Sequence, residues 1–129
     1  MSDVKKRSDI ELLVKSFYSK VRKDAELGPI FDDVIKIDWD YHIPILVDFW
    51  ETILLDTGSY TRNAMAEHFK VNQKVPLSAG HFQVWLQLFD ATVNELFSGP
   101  KADLAKKRAH SIAQIMQFKM DHVNKNNLR

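Results

Sequence analysis

The chain has 129 residues, of which 45% are hydrophobic and 27% are charged, and its formal net charge at pH 7 is +1. These values are typical of one folded domain and exclude an intrinsically disordered chain. The small net charge gives no basic patch for a polyanion, so we expect no nucleic-acid partner. We expect a single domain over residues 1–129, with flexible tails at residues 1–8 and 125–129.

Residues and motifs that are missing from the sequence argue against several kinds of site and against a membrane or secreted location. There is no cysteine, which excludes disulfides, Cys-ligated metals and a thiolate nucleophile. No apolar run reaches membrane-spanning length, and residues 1–7 contain no apolar signal region. We therefore expect a cytoplasmic protein with no membrane partner. No Gly-rich phosphate loop or zinc-protease motif is present either.

Aromatic residues are numerous, with eight Phe, three Trp and three Tyr. A domain of this size needs either a very full core or a large, flat ligand to surround with so many rings.

The first predicted helix begins at a capping box, Ser8-x-x-Glu11, and ends near Lys23. Leu27-Gly28-Pro29 is a helix-stopping sequence, and a short apolar turn follows it to about residue 37. The apolar positions of the helix step by three and four residues, as on one helix face: they are Ile10, Leu13, Val14, Phe17, Tyr18 and Val21.

Three further helices are predicted downstream. One runs from Trp39 to Leu55, and its inward residues are His42, Leu46, Phe49, Trp50 and Ile53. The next is capped by Ser78 and ends near Phe97, and its inward residues are Phe82, Trp85, Leu86, Phe89, Val93 and Leu96. After the breaker Ser98-Gly99-Pro100, the last runs over about residues 101–124, and its apolar stripe includes Ile112, Ala113 and Met116. No segment alternates with period two, so the fold is predicted to be all-α.

Four polar side chains lie on otherwise apolar stripes. His68 lies in a short amphipathic segment, about residues 63–70, while Tyr18, His42 and Trp85 lie on three separate helices. Each taken alone is more often a satisfied core residue than a functional one, although a neutral imidazole can also bind a metal. His81, near a helix start, is expected to cap that helix or to line the surface.

Taken together, these residues resemble the truncated haemoglobins, and most closely their group III. The resemblance covers about residues 10–116, and the absence of a Gly-Gly pair fits the same group. The segments that carry it are Phe17-Tyr18, Leu27-Gly28-Pro29-Ile30-Phe31, Trp39-x-x-His42, Phe49-Trp50, Tyr60, His68 and His81-Phe82-x-x-Trp85-Leu86-x-Leu88-Phe89.

This resemblance implies a globin-like, two-over-two helical sandwich around a b-type haem. It makes His68 the axial iron ligand, Tyr18 and Trp85 distal residues, and His42 the distal gate. The residues that it implies for haem contact are Phe31, Leu46, Trp50, His68, Phe82 and Trp85. The connection over residues 71–80 is longer than this group leads us to expect, which bears on the orientation of His68.

The resemblance further implies a five-coordinate haem that binds O2, NO and CO. Tyr18, Trp85 and His42 would supply hydrogen bonds to the bound ligand, an arrangement suited to chemistry on O2, NO or peroxide. An NO dioxygenase-like or peroxidase-like reaction would need an external reductase. The alternatives are reversible O2 binding or sensing without turnover, and a cofactor-free helical interaction module. We expect a monomer.

Overall fold

The structure is a computed structural model that describes residues 2–34, 36, 38–55 and 78–127, with the backbone alone at residues 34, 120 and 122–127. Every regular element in this part of the chain is helical, as predicted. The elements are α1 (Arg7–Lys23), α2 (Leu27–Pro29), a π-helical turn (Ile30–Val34), α3 (Trp39–Leu55), α4 (Ala79–Leu96) and α5 (Pro100–Asn127). None of the helices within these ranges is both long and apolar enough to cross a bilayer.

Helix α1 begins one residue before the predicted capping box. Lys6 is the N-cap, and the carboxylate of Asp9 accepts hydrogen bonds from the backbone N–H groups of Lys5 and Lys6, at 2.9 and 3.2 Å. The predicted box at Ser8 and Glu11 is therefore wrong, because Asp9 takes the position from which a carboxylate reaches back to the N-cap. The predicted apolar stripe of α1 is buried at all six positions.

Within the predicted tail at residues 1–8, Asp3 and Val4 contact the rest of the fold. Val4 is 1% exposed, and the Asp3 carboxylate accepts hydrogen bonds from the backbone N–H groups of Lys101 and Ala102, both at 2.9 Å. These N–H groups lie in the first turn of α5, where no intrahelical acceptor exists, so Asp3 caps α5 from 98 residues away. At the other terminus, the backbone of α5 continues to Asn127, past the predicted end near residue 124.

Gly99 makes this capping contact possible. Its φ is +143°, and a Cβ at this position would lie 2.6 Å from Cγ of Asp3. A larger residue would therefore strain the backbone and displace the capping carboxylate.

The end of α1 agrees with the sequence prediction. The helix ends at Lys23, and the Asp24 carboxylate accepts hydrogen bonds from the N–H groups of Glu26 and Leu27. Gly28 then lies so close to the end of α1 that a Cβ would lie 2.4 Å from the carbonyl oxygen of Arg22. Only glycine fits this close approach, and the π-helical turn that contains Phe31 begins two residues later.

The four long helices in the described ranges pack against one another. Helix α1 packs against α3 and α4, α4 packs against α5, and α3 also contacts α5. The bounds of α3 agree with the prediction, but its buried face is centred on Val47, Trp50, Glu51 and Leu54, whereas His42, Leu46, Phe49 and Ile53 are only partly buried. Arg7 joins α1 to α3, because its guanidinium pairs with two acids of α3, Asp48 at 2.8 Å and Glu51 at 3.1 Å.

Replacement of Asp3 by alanine should destabilise the protein by about 1 kcal/mol, the usual value of a helix N-cap. The reason is that the N–H groups of Lys101 and Ala102 lose their acceptor. Urea unfolding followed by circular dichroism measures this change. Replacement of the exposed Asp121 is the control and should leave the midpoint unchanged.

The effect should also depend on pH. Burial alone raises the pKa of Asp3, but hydrogen bonds from the amides of Lys101, Ala102 and Val4 outweigh it, so the pKa lies below its ordinary value of 3.8. A carboxyl with a lowered pKa stabilises the fold above its unfolded-state pKa, and this contribution is lost as the pH falls through the folded-state pKa. The difference between Asp3→Ala and wild type should therefore shrink as the pH falls below the ordinary Asp pKa of 3.8; a difference of constant size would contradict the capping role.

Candidate functional site

A cavity of about 670 Å³, including the part that is open to solvent, lies between α1, α3, α4 and α5. Among the residues that the structure describes, its walls are apolar apart from the hydroxyl of Tyr18, the imidazole of His81 and two indole N–H groups. This composition fits a large, flat, apolar ligand held by a small number of polar groups. The residues that line the cavity are Tyr18, Leu27, Phe31, Leu46, Phe49, Trp50, His81, Phe82, Trp85, Ile112, Ala113 and Met116.

Tyr18 and Trp85 meet in this cavity although they lie on different helices. The ring of Phe17 packs edge-to-face on both, with centroid distances of 4.7 Å to Tyr18 and 5.3 Å to Trp85. Burial raises the pKa of Tyr18 to about 12, and a hydrogen bond with the Trp85 side chain partly offsets this increase. The phenol is therefore neutral near pH 7 and keeps an O–H group that can donate.

The structure brings together most of the residues predicted for haem contact. Phe31, Leu46, Trp50 and Phe82 line the same cavity as Trp85. These side chains come from the π-helical turn, α3 and α4, so the cavity depends on the packing of several elements. The predicted axial ligand His68 and the motif residue Tyr60 lie outside the described residues.

His42 occupies a different place from Tyr18 and Trp85. It is half-buried, and it is not among the described residues that line the cavity. Its ring packs edge-to-face on Trp39 with a centroid distance of 6.3 Å. His42 therefore lies beside Trp39, whereas Tyr18 and Trp85 line the cavity itself.

Several cavity residues were not assigned to the site from the sequence. Phe49 and the α5 residues Ile112, Ala113 and Met116 lie on stripes that the periodicity had marked as inward, so this signal could have found them. Leu27 was interpreted as part of a helix stop and of the family motif, but not as a site residue. His81 caps α4 as expected, since its Nδ1 accepts from the Ser78 N–H at 3.0 Å, and it also lines the cavity.

The sequence analysis did not predict a polar cluster that lies beside Tyr18, outside the cavity. The indole N–H of Trp39 donates to Asp32 at 2.8 Å, and Nε of Arg22 donates to the other oxygen of the same carboxylate at 3.2 Å. The Arg22 guanidinium also lies over the Trp39 ring, 5.2 Å from its centroid. Trp39 in turn contacts the ring of Tyr18 at 5.4 Å, so the cluster supports the outer edge of the phenol.

Comparison with known proteins gives the family. No family model matches the sequence. The chain is 32% identical over 114 residues to group 3 truncated hemoglobin ctb of Campylobacter jejuni, which covers 86% of this chain and 87% of that protein. The crystal structure of group III truncated hemoglobin from Campylobacter jejuni matches with a TM-score of 0.80 at 31% identity, over 93% of this chain and 95% of that one. This likeness extends over nearly the whole of both chains, and the chain therefore belongs to the group III truncated haemoglobins, a membership that implies a haem cofactor.

Proposed function

We propose that the protein holds a b-type haem in the cavity lined by Tyr18 and Trp85 and binds O2, NO and CO there. Strong hydrogen bonding to the bound ligand would suit the site to chemistry on O2, NO or peroxide. The observation that carries this proposal is that Tyr18 and Trp85 line one cavity whose other walls are almost wholly apolar.

The cavity walls fit a porphyrin. Phe31, Leu46, Trp50 and Phe82 supply apolar and aromatic surface from different elements, and they would hold the macrocycle by burial. The family resemblance assigns the axial ligand to His68, whose imidazole is the usual haem ligand of globins. When bound, ferrous haem supplies an open coordination position for a diatomic gas.

The distal side chains determine how long a ligand stays. The Trp85 indole N–H donates to the Tyr18 oxygen, which leaves the Tyr18 O–H group to donate to a ligand. The indole becomes a second donor when it turns from Tyr18 to the ligand, and Phe17 packs on both rings. A hydrogen bond to a charged acceptor contributes roughly 1.5–3 kcal/mol, and about 1.4 kcal/mol changes an equilibrium constant tenfold. Two such bonds would slow the release of a polar ligand such as O2 by roughly a hundredfold.

A protein that releases O2 slowly is better suited to a reaction of the bound O2 than to O2 delivery. We infer that the site oxidises NO or reduces peroxide, with electrons from an external reductase. His42, which packs against Trp39 beside the cavity, would act as a gate and as a further donor when it turns inward.

Removal of either donor should accelerate O2 release. Tyr18→Phe and Trp85→Leu should each raise the O2 dissociation rate of the ferrous protein by about tenfold or more, because each loses one hydrogen bond to a partly charged atom. Stopped-flow mixing of the oxygenated protein with CO measures this rate.

Tyr41→Phe is the matched control. It removes the same hydroxyl from the same residue type at a side chain that is 57% exposed, so the rate should not change. Unchanged O2 dissociation rates in both Tyr18→Phe and Trp85→Leu would show that these side chains do not hydrogen-bond to the bound O2. Fast O2 release by wild type, with no turnover when a reductase is supplied, would favour reversible O2 binding or sensing.

The pH dependence of O2 release tests the protonation state of Tyr18. Because burial raises the pKa of this phenol to about 12, the hydroxyl keeps its proton far above neutral pH. The dissociation rate of wild type should therefore stay constant from pH 7 to about pH 10. A rise through the ordinary tyrosine pKa that is absent in Tyr18→Phe would contradict the raised pKa.

The axial assignment is tested by replacing His68 with glycine. We expect this variant to lose the visible absorbance of a nitrogen-ligated haem, because its axial imidazole is gone, and to regain it when free imidazole is added. His110→Ala is the control, since His110 lies on α5 and its Nε2 contacts Asp90 at 2.7 Å. Unaltered colour and gas binding in the His68 variant would place the axial ligand elsewhere.

A further inference from the structure

A second cavity opens on the outer side of Tyr18, between α1, the π-helical turn and the start of α3. Its volume is about 820 Å³, including the part that is open to solvent. Its lining residues are Lys15, Tyr18, Ser19, Arg22, Lys23, Asp32, Trp39 and Ile43, and we refer to it as the α1 groove. Tyr18 lines both cavities, so this side chain separates the α1 groove from the candidate haem pocket.

The α1 groove carries an excess of positive charge. Lys15, Arg22 and Lys23 are brought to one face of α1 by the helical repeat, and all three side chains line the groove. Among the described lining residues, the carboxylate of Asp32 is the one acid, and it is bonded to Arg22 and Trp39. Because Asp32 balances Arg22, two positive charges remain.

The two remaining cations are available to a ligand. Within the described ranges, neither Lys15 nor Lys23 forms an ion pair, whereas Lys20, which is not a lining residue, pairs with Glu95 at 2.6 Å. Both lysines are exposed, and the Ser19 hydroxyl lies between them on the same groove wall. The groove thus combines unpaired cations with a neutral hydrogen-bond donor.

The opposite wall of the groove is held rigidly. The Asp32 carboxylate accepts hydrogen bonds from both Trp39 and Arg22, and these bonds, with the Trp39 bond the stronger influence, keep the pKa of Asp32 below its ordinary value. Asp32 therefore stays ionised and bonded at neutral pH, and its carboxylate faces its own partners and not the unpaired lysines. A fixed wall reduces the entropy that a ligand loses on binding.

We propose that the α1 groove is a binding site for a small inorganic oxyanion such as nitrate or phosphate. Lys15 and Lys23 supply charge, Ser19 supplies a hydroxyl donor, and Trp39 forms the wall against which the anion lies. The ammonium and hydroxyl donors that line the groove are what a compact anion with several oxygen acceptors needs. Nitrate is the product of the NO oxidation proposed above, but this binding requires neither haem nor its reaction.

The test is an anion titration of the diamagnetic, CO-bound protein followed by 1H–15N NMR. Sodium nitrate and sodium phosphate are added in separate experiments at constant ionic strength, set with a bulky organic anion. Saturable shifts should be confined to the amides of residues 15–23 and to the indole N–H of Trp39. If the protein took up no haem, the same titration would be made on it directly, so the two proposals fail separately.

Two variants should change the affinity in opposite directions. The double substitution Lys15→Gln and Lys23→Gln should weaken binding by roughly threefold to tenfold, because it removes two exposed charge contacts. Asp32→Asn should tighten binding by about threefold, since it removes the one acid while its amide oxygen can still accept from Trp39.

A charge-matched variant is the control. Lys107→Gln with Arg108→Gln removes the same two charges from exposed positions on α5 and should leave the affinity unchanged. The proposal is overturned if neither anion gives saturable shifts, or if shifts spread over all basic surface positions. It is equally overturned if the control weakens binding as much as the groove variant does.

Discussion

The packing of Phe17 at the centre of α1 is the contact on which the rest of the site depends. Its ring lies edge-to-face against Tyr18, Trp85 and Phe89, at centroid distances of 4.7, 5.3 and 5.1 Å. Aromatic contacts of this kind add about 0.5–1.5 kcal/mol each to the free energy of burial and favour particular ring orientations. One apolar side chain thereby joins α1 to α4 and holds the two polar side chains of the cavity in place.

Placing a phenol in an apolar wall has an electrostatic consequence that serves the proposed chemistry. Desolvation disfavours the tyrosinate, and for this reason the pKa of Tyr18 rises to about 12. The hydroxyl remains a donor, and Trp85 supplies a second polar group beside it. The same low-dielectric surroundings strengthen any hydrogen bond to a ligand, so burial both keeps the donor protonated and increases its effect.

Long-range polar contacts hold the helices around this centre. Asp3 caps α5, Arg7 joins α1 to two acids of α3, and Asp32 joins the end of α1 to the start of α3 through Arg22 and Trp39. The last of these contacts supports Tyr18 from its outer side. Tyr18 thus lies between an apolar pocket and a positively charged groove, and each is bounded by elements that these contacts hold in position.

The sequence by itself determined the helices, the buried stripe of α1, the bounds of α3 and the Ser78 cap, because these depend on periods of three to four residues and on local caps. It also predicted the family and six of the twelve described residues that line the candidate pocket, since those motif residues lie on the apolar stripes or in the segment that follows α1. Only the tertiary structure decided that Asp3 caps α5, that His42 lies with Trp39, and that Asp32 binds Arg22 and Trp39. The packing of the helices likewise places Tyr18 between two cavities. Such contacts join residues up to 99 positions apart, and no local pattern encodes them because they depend on how whole helices approach one another.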